Sequence, residues 1–582
     1  MPLMASTSME MSAAAKSRKE SARQDLDESV AILKDKARVF ARLSAAERAA
    51  LLRSCIPRLA AAAPRWAAAG IEAKGILPGT QTTAEEWLAG PVPTIRNARL
   101  LARALDEIAA EGKPRLPKPI GQSRDGTALV DAFPSEALDA ALYSGFTCKV
   151  RMLPGLDATA VRSKQASFYD KKDPEGAVSL VLGAGNVSSI PPMDAFYKMF
   201  VDGSVCLLKM NPVNEYLGPI YEDALEPLIS AGYLRIVYGA GDVGAYLTTH
   251  EGVDDIHITG SDRTHDLIVW GPPGPERDRR KAAKDPLLKK TITSELGSVT
   301  PVIMVPGDYS ASELEFLAQN VASMVTNNAS CNCNAAKMII TSAGWPQRET
   351  FLARVREILS GVAPRKAYYP GAFERFEYLV GGRKEAVKLG KASADELPWT
   401  LCFGLDSKDE GERLFNTEPF CPILSETSLD EKDPAAFLKA ATAFANDRVW
   451  GTLSAVITIH PRTEKDPAVA SALDDAVQNL RYGAVGINHW TALVYATGTP
   501  PWGAHPSATL ENIQGGLGWV HNTLMLEGIE KAVLRGPHVV KPKPPWFVTN
   551  KNSLAVAQKM VAMEAAPSWL KVPGIALAAL SG

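Results

Sequence analysis

The sequence predicts an α/β protein with two doubly wound open-sheet domains, an N-terminal helical layer and a C-terminal extension. Three observations predict it. Ala177-Val178-Ser179-Leu180-Val181-Leu182 is an unbroken apolar run, the pattern of a parallel strand buried on both faces. Strand-like and helix-like runs then alternate from 177 to 259, and again from 314 to about 490, as βαβ units do. Between 29 and 111 the apolar residues recur only at helical spacing. A chain of 582 residues is also too long for one ordinary core.

The helical layer comes first. Val30, Leu33, Ala37, Phe40 and Leu43 share one helical face, and Leu51, Leu52, Cys55 and Leu59 a second. Ser44-Ala45-Ala46-Glu47 reads as a capping box opening the second helix. Trp87, Ile95, Leu100, Leu101, Leu105 and Ile108 mark further helix, and no chemistry is expected of this layer. Residues 113 to 175 are broken by Pro and Gly and predict loops with a small accessory sheet. Val205–Met210, Leu234–Tyr238 and Ile256–Thr259 are the next strands. Asn186, Lys209 and Gly260-Ser261 fall at strand C-termini, where the ligand crevice of such a sheet lies. Gly271 to Lys290 reads as a charged, solvent-facing insertion.

Composition narrows the class. A net charge of -2 offers no excess of cations for nucleic acid or an anionic membrane. Seven cysteines make no disulfide framework, and an odd count leaves a free thiol, which suits a reducing cytoplasm. Met1 to Ala15 lacks the apolar centre of a signal peptide, and no run is long enough to span a bilayer.

The stretch Ala329-Ser330-Cys331-Asn332-Cys333-Asn334 lies between an amphipathic helix, Leu314 to Val325, and a strand, Met338 to Thr341. Such a boundary lets a thiol face a cleft. A cysteine there is ordinarily a buried small hydrophobe, so the case for chemistry comes from the other motifs. Gly239, Gly244, Leu247, His250 and Val253-Asp254 lead into Ile258-Thr259-Gly260-Ser261. Then come Glu295-Leu296-Gly297, Asn328 to Ala335, Glu418-Pro419-Phe420-Cys421-Pro422, Asn446 to Ser454 and Gly483 to Asn488. In this order and spacing they resemble the aldehyde dehydrogenase superfamily over roughly residues 30 to 520.

The resemblance implies a chemistry for each motif. Cys333 aligns with the nucleophile that adds to an aldehyde carbonyl. Asn186, with the backbone N–H of the cysteine, would stabilise the oxyanion. Glu295 would activate the water that hydrolyses the thioester. The implied cofactor is NAD or NADP, held by Lys209, Gly244, Gly260, Ser261, Glu418 and Phe420, with no metal. The implied domains are 26–296, dinucleotide-binding with the N-terminal helices; 297–505, catalytic; and 506–582, a return segment and extension, after a disordered 1–25. The implied partners are a small-molecule aldehyde and further copies of the chain, as a homodimer or homotetramer, with no nucleic acid.

Some positions depart from the family pattern. Gly185 replaces an aromatic, Val187-Ser188 replace Phe-Pro, and Ser330-Cys331 replace Gly-Gln. Met210-Asn211-Pro212 supplies no carboxylate against a 2'-phosphate, although Glu215 is near, so NADP is tolerable. Lys198 receives no role. Cys331 and Cys333 form a Cys-x-Cys pair without further metal ligands beside it, and His257, His265 and His489 are scattered. Trp490, Trp502 and His505 suggest an apolar or aromatic substrate site. The tail beyond 520 is expected to pack on the body or on a neighbouring subunit. A gate or membrane contact is the sharper alternative, although the tail lacks a basic face. Two other functions compete: a CoA-acylating relative, which would not need Glu295, and a non-catalytic binding protein.

Overall fold

The structure is a computed structural model that describes residues 20–582. Most of the stretch expected to be disordered lies outside the described residues; its last part, from Arg23, already belongs to a helix ending at Ala41. Ser44 and Glu47 form the capping box the sequence predicts, opening the helix Ala45–Ala73. That helix packs along Pro91–Glu111. Their shared interior holds Leu52, Cys55, Leu59, Ile95, Leu101 and Leu105, all essentially without exposure.

The first sheet has six strands in the order Gly516–Leu517, Thr291–Glu295, Asp255–Thr259, Val178–Leu182, Val205–Lys209, Leu234–Val237. All neighbours are parallel except the first pair. The strand Val178–Leu182 is central and its apolar residues are buried on both faces, which is why its sequence shows no alternation. The second sheet has eleven strands. Its parallel centre runs Ile529–Arg535, Ala484–Ile487, Ser454–Thr458, Thr300–Met304, Ala336–Ser342, Ile423–Leu429, Trp399–Leu405.

The accessory sheet expected within 113–175 is not separate. Ala128–Phe133 pairs with Thr147–Met152, which pairs antiparallel with Ile529–Arg535 and so extends the large sheet. A hairpin alone leaves an unpaired edge. Its partner lies several hundred residues away, a pairing no local pattern signals. The single helix expected over 215–231 is three short turns, Glu215–Leu217, Gly218–Ala224 and Glu226–Ser230. The charged insertion holds an exposed helix, Pro275–Ala283. Among the described residues no helix is long and apolar enough to cross a membrane.

The tail packs on the body. The helix Ser553–Ala565 lies against Pro91–Glu111 and against the helix Ala84–Leu88. Glu564 is buried between Arg96 and Arg99, at 2.9 and 2.7 Å. Asp139 pairs with Arg96 on its other side at 2.6 Å. A second helix, Val572–Leu580, packs on the first, and Asn552 Nδ2 donates to the Ala578 carbonyl.

Candidate active site at the junction of the two sheets

Cys333 lies just beyond a tight turn that follows the helix Ala311–Thr326. Asn328, Ala329 and Ser330 all take positive φ, of 54°, 54° and 64°. The left-handed region is costly for Ala and Ser, so the turn needs an anchor. Asn328 provides it. Its Nδ2 donates to the carbonyls of Asn186 and Cys331 and to Asn332 Oδ1, its Oδ1 accepts from Tyr368, and its backbone N–H donates to Glu85. Ser330 stands where the resemblance leads one to expect Gly, for which a left-handed conformation carries little strain.

Two cavities meet at Cys333. One, of about 290 Å³, runs over Asn186, Gly260, Ser261, Glu295, Gly297, Glu418 and Phe420. The other, of about 320 Å³, opens on the opposite side between the helical layer and the tail. Cys333, Glu295 and Ile190 line both. The three predicted catalytic residues therefore share one wall, although they come from segments more than 140 positions apart in the case of Asn186 and Cys333.

Asn186 is held tightly. Its Nδ2 donates to the Cys331 carbonyl at 3.0 Å, which ties it to the turn that carries Cys333. Its own carbonyl accepts from Lys74 at 3.0 Å and Asn328 at 3.0 Å. Lys74 in turn pairs with Glu86 at 2.7 Å, both buried. The helical layer, expected to carry no chemistry, thus fixes Asn186 through Lys74 and the Cys333 turn through Glu85. Helical periodicity marks the apolar face only and gives no notice of such polar contacts.

Glu295 is 2% exposed, and neither carboxylate oxygen has a hydrogen-bond partner among the described residues. Burial pushes its carboxyl up to about 7, and the Asp194 carboxylate adds to this. The Cys333 thiol and the Trp502 indole face it and oppose the shift. Burial also holds the Cys333 thiol well above the usual thiol range, and Glu295 raises it further. Lys337 works the other way. Its ammonium donates to the Asn332 carbonyl at 2.7 Å and pairs with Glu418 at 2.8 Å. Asp194 lies fully buried between His257 and His521, at 3.5 and 3.6 Å. Sequence reading singled out neither Asp194 nor Lys337 as a site residue, since the histidines around Asp194 and the Glu418 carboxylate beside Lys337 come from distant segments.

The first cavity suits a dinucleotide. Ser261 caps the nine-residue helix Asp262–Trp270, and Oγ of Ser261 accepts the Thr264 N–H at 3.1 Å. Gly260, Ser261 and Arg263 form the wall there, so backbone donors and a guanidinium stand where phosphates are favoured. A Cβ on Gly297 would overlap the Glu418 carboxylate, so glycine is required at that close approach. Gly260 is under no such constraint. Lys209 and Gly244 do not line this cavity. Lys209 is 7% exposed at its strand end, and burial pulls its ammonium down to about 8, opposed by Glu215, Asp242 and Glu20. Gly244 lies inside the helix Gly241–Thr249 beside open space.

Trp490 lines the second cavity and Trp502 lies against Glu295, but His505 pairs with Glu530 at 3.6 Å and does not line it. Cys331 is buried, and its thiol donates to the Ala329 and Phe420 carbonyls; all seven cysteines are unpaired. Elsewhere Glu313, His460 and His538 bring ligand atoms within 4.8 Å of one another. His460 Nδ1 accepts the Arg462 N–H at 2.9 Å, so Nε2 carries the proton and donates to Glu313 at 3.0 Å. A metal there would need that nitrogen's lone pair.

No family model matches the chain. Aminoacetaldehyde dehydrogenase of Pseudomonas aeruginosa is 28% identical over 320 residues, covering 52% of this chain and 59% of that protein. The match thus spans less than two thirds of that curated relative. Among solved structures, NAD-dependent aldehyde dehydrogenase from Sinorhizobium meliloti superposes with a TM-score of 0.58 at 18% identity, covering 91% of this chain and 89% of that one. The glyceraldehyde-3-phosphate dehydrogenase GapN from Methanocaldococcus jannaschii, complexed with NADP, gives 0.59 at 15%, covering 89% and 96%. Architecture and motif order agree, and this chain has the fold of the aldehyde dehydrogenase superfamily.

Proposed function

We propose that this chain oxidises an aldehyde to a carboxylic acid with NAD or NADP. The observation that carries the reading is the meeting of two cavities at Cys333, with Glu295 on the wall common to both. One cavity would take the dinucleotide through Gly260, Ser261, Arg263, Glu418 and Phe420, and the other the aldehyde. Lys209 would reach the adenosine end. The substrate cavity is mainly apolar, which supports an apolar or aromatic aldehyde.

The sulfur of Cys333 adds to the carbonyl carbon, and its proton passes to Glu295. A carboxyl near 7 is a competent acceptor at neutral pH. The oxyanion of the thiohemiacetal takes a hydrogen bond from the second N–H of the Asn186 amide, the first being spent on Cys331. The bound nicotinamide supplies the hydride acceptor that turns this adduct into a thioester. Once Glu295 has released that proton to solvent, it takes a proton from the water attacking the thioester and passes it to the departing Cys333 sulfur, which frees the acid and restores the thiol. A CoA-acylating enzyme would need no carboxyl to activate water at the thioester.

Cys333→Ala is expected to abolish aldehyde-dependent cofactor reduction while dinucleotide binding persists; retained turnover refutes the nucleophile. A reducing cytoplasm suits the seven unpaired cysteines. Homodimers or homotetramers are the assembly we expect by analogy, read by light scattering.

A further inference from the structure

We propose that residues 540–579 form the outer wall of the acyl pocket and select an uncharged aldehyde with an apolar body of about ten heavy atoms. This rests on the aldehyde-oxidising reading above and adds the substrate class. The second cavity has Leu88, Val92, Phe146 and Leu493 on the body side. The tail closes it with Trp546, Val556, Met560, Ile575 and Ala579. About 320 Å³, at the roughly 30 Å³ that one heavy atom occupies in a liquid, holds about ten such atoms.

The wall is fixed in place. Glu564 is clamped by Arg96 and Arg99 on the helix that also carries Met560. Phe547 packs against Phe316 with ring centroids 5.0 Å apart and the planes tilted by 42°, and the Val548 N–H donates to Ser323 at 2.9 Å. A cavity bounded by packed side chains has a definite depth, so it discriminates by length.

Charge points the same way. The carboxylates on the cavity wall are Glu295, assigned to the chemistry, and Glu85. Glu85 is engaged by Arg365 at 3.3 Å and by the Asn328 N–H at 3.1 Å. Lys541 and Lys543 lie on the tail side. An aldehyde bearing an ammonium group at its far end would meet the cations of the tail, with Glu85 already engaged.

The experiment measures kcat/KM of the full chain for straight-chain aldehydes from propanal to dodecanal and for aminoacetaldehyde. Each added methylene is expected to raise kcat/KM about fourfold until the cavity is full. Aminoacetaldehyde should fall at least tenfold below propanal. Met560→Trp should shorten the optimum by several carbons and Val556→Ala should lengthen it, so the ratio of decanal to propanal kcat/KM should fall in the first variant and rise in the second. A flat length series, a preference for aminoacetaldehyde, or an equal loss on every aldehyde in Met560→Trp and no shift in Val556→Ala overturns the inference while the oxidation reading stands. Decanal binding to Cys333→Ala, measured by calorimetry, separates the two. Absence of turnover with tight decanal binding sinks the oxidation reading and keeps the pocket; absence of both sinks both.

Discussion

Glu295 combines the chemical role proposed for it with a thermodynamic cost. Its carboxyl rises from 4.5 to about 7 because burial disfavours the charged form, with Asp194 adding to the effect. The folded state therefore binds a proton more tightly than the unfolded state. Stability falls as pH rises from 4.5 to 7 and is level above, where the folded protein carries the full cost of a buried charge. That cost is on the order of 3 kcal/mol. Glu295→Gln should thus be more stable than the parent above pH 7, by up to that amount, and converge with it below pH 4.5. Urea denaturation at pH 4.5 and pH 8 measures the difference; equal midpoints at both would contradict the buried charge. The same variant should lose deacylation, so a thioester on Cys333 should build up in mass spectra. A gain in stability coupled to a loss of turnover is the signature of a strained functional group.

The turn 328–330 is the element that aims Cys333. Three successive left-handed residues, two of them Ala and Ser, lie between a helix and a strand that both run into buried core. The buried Ser330 hydroxyl also has no hydrogen-bond partner among the described residues. Ser330→Gly removes the Cβ clash and the orphaned hydroxyl together, against a larger entropy loss for glycine. A net gain of about 1 kcal/mol is expected, read as a higher thermal midpoint with kcat unchanged. A lower midpoint would mean that the strain is not where the backbone puts it. Asn328→Ala should do the opposite. It strips the hydrogen bonds that tie the turn to Asn186, Cys331 and Tyr368, so kcat should drop more than KM changes, with dinucleotide affinity intact.

Across the whole molecule, the tail, the helical layer and the two sheets close around one sulfur. The buried cluster of Arg96, Arg99, Asp139 and Glu564 joins the helix Pro91–Glu111 to the tail. Replacing Glu564 by Ala leaves two guanidinium groups short of a buried partner, which costs about 3 kcal/mol or more. Chemical denaturation should show that loss. Limited proteolysis should then cut first beyond residue 536 if the cluster is what seats the tail, and a cleavage pattern like the parent's would count against it.

The alternating apolar runs were enough to read the sheet class, because strands buried on both faces cannot hide their hydrophobicity. Motif order brought Cys333, Glu295, Asn186, Gly260, Ser261, Glu418 and Phe420 to notice, since reactive groups need particular residue types at element ends. Sequence by itself could not reveal that Ala128–Met152 completes the large sheet, that Lys74 fastens Asn186, or that Asp194 lies near Glu295. Nor could it turn residues 540–579 from an unplaced tail into the wall of a cavity. Those facts depend on which distant surfaces come into contact. Periodicity records whether a side chain is buried and says nothing of which neighbour buries it.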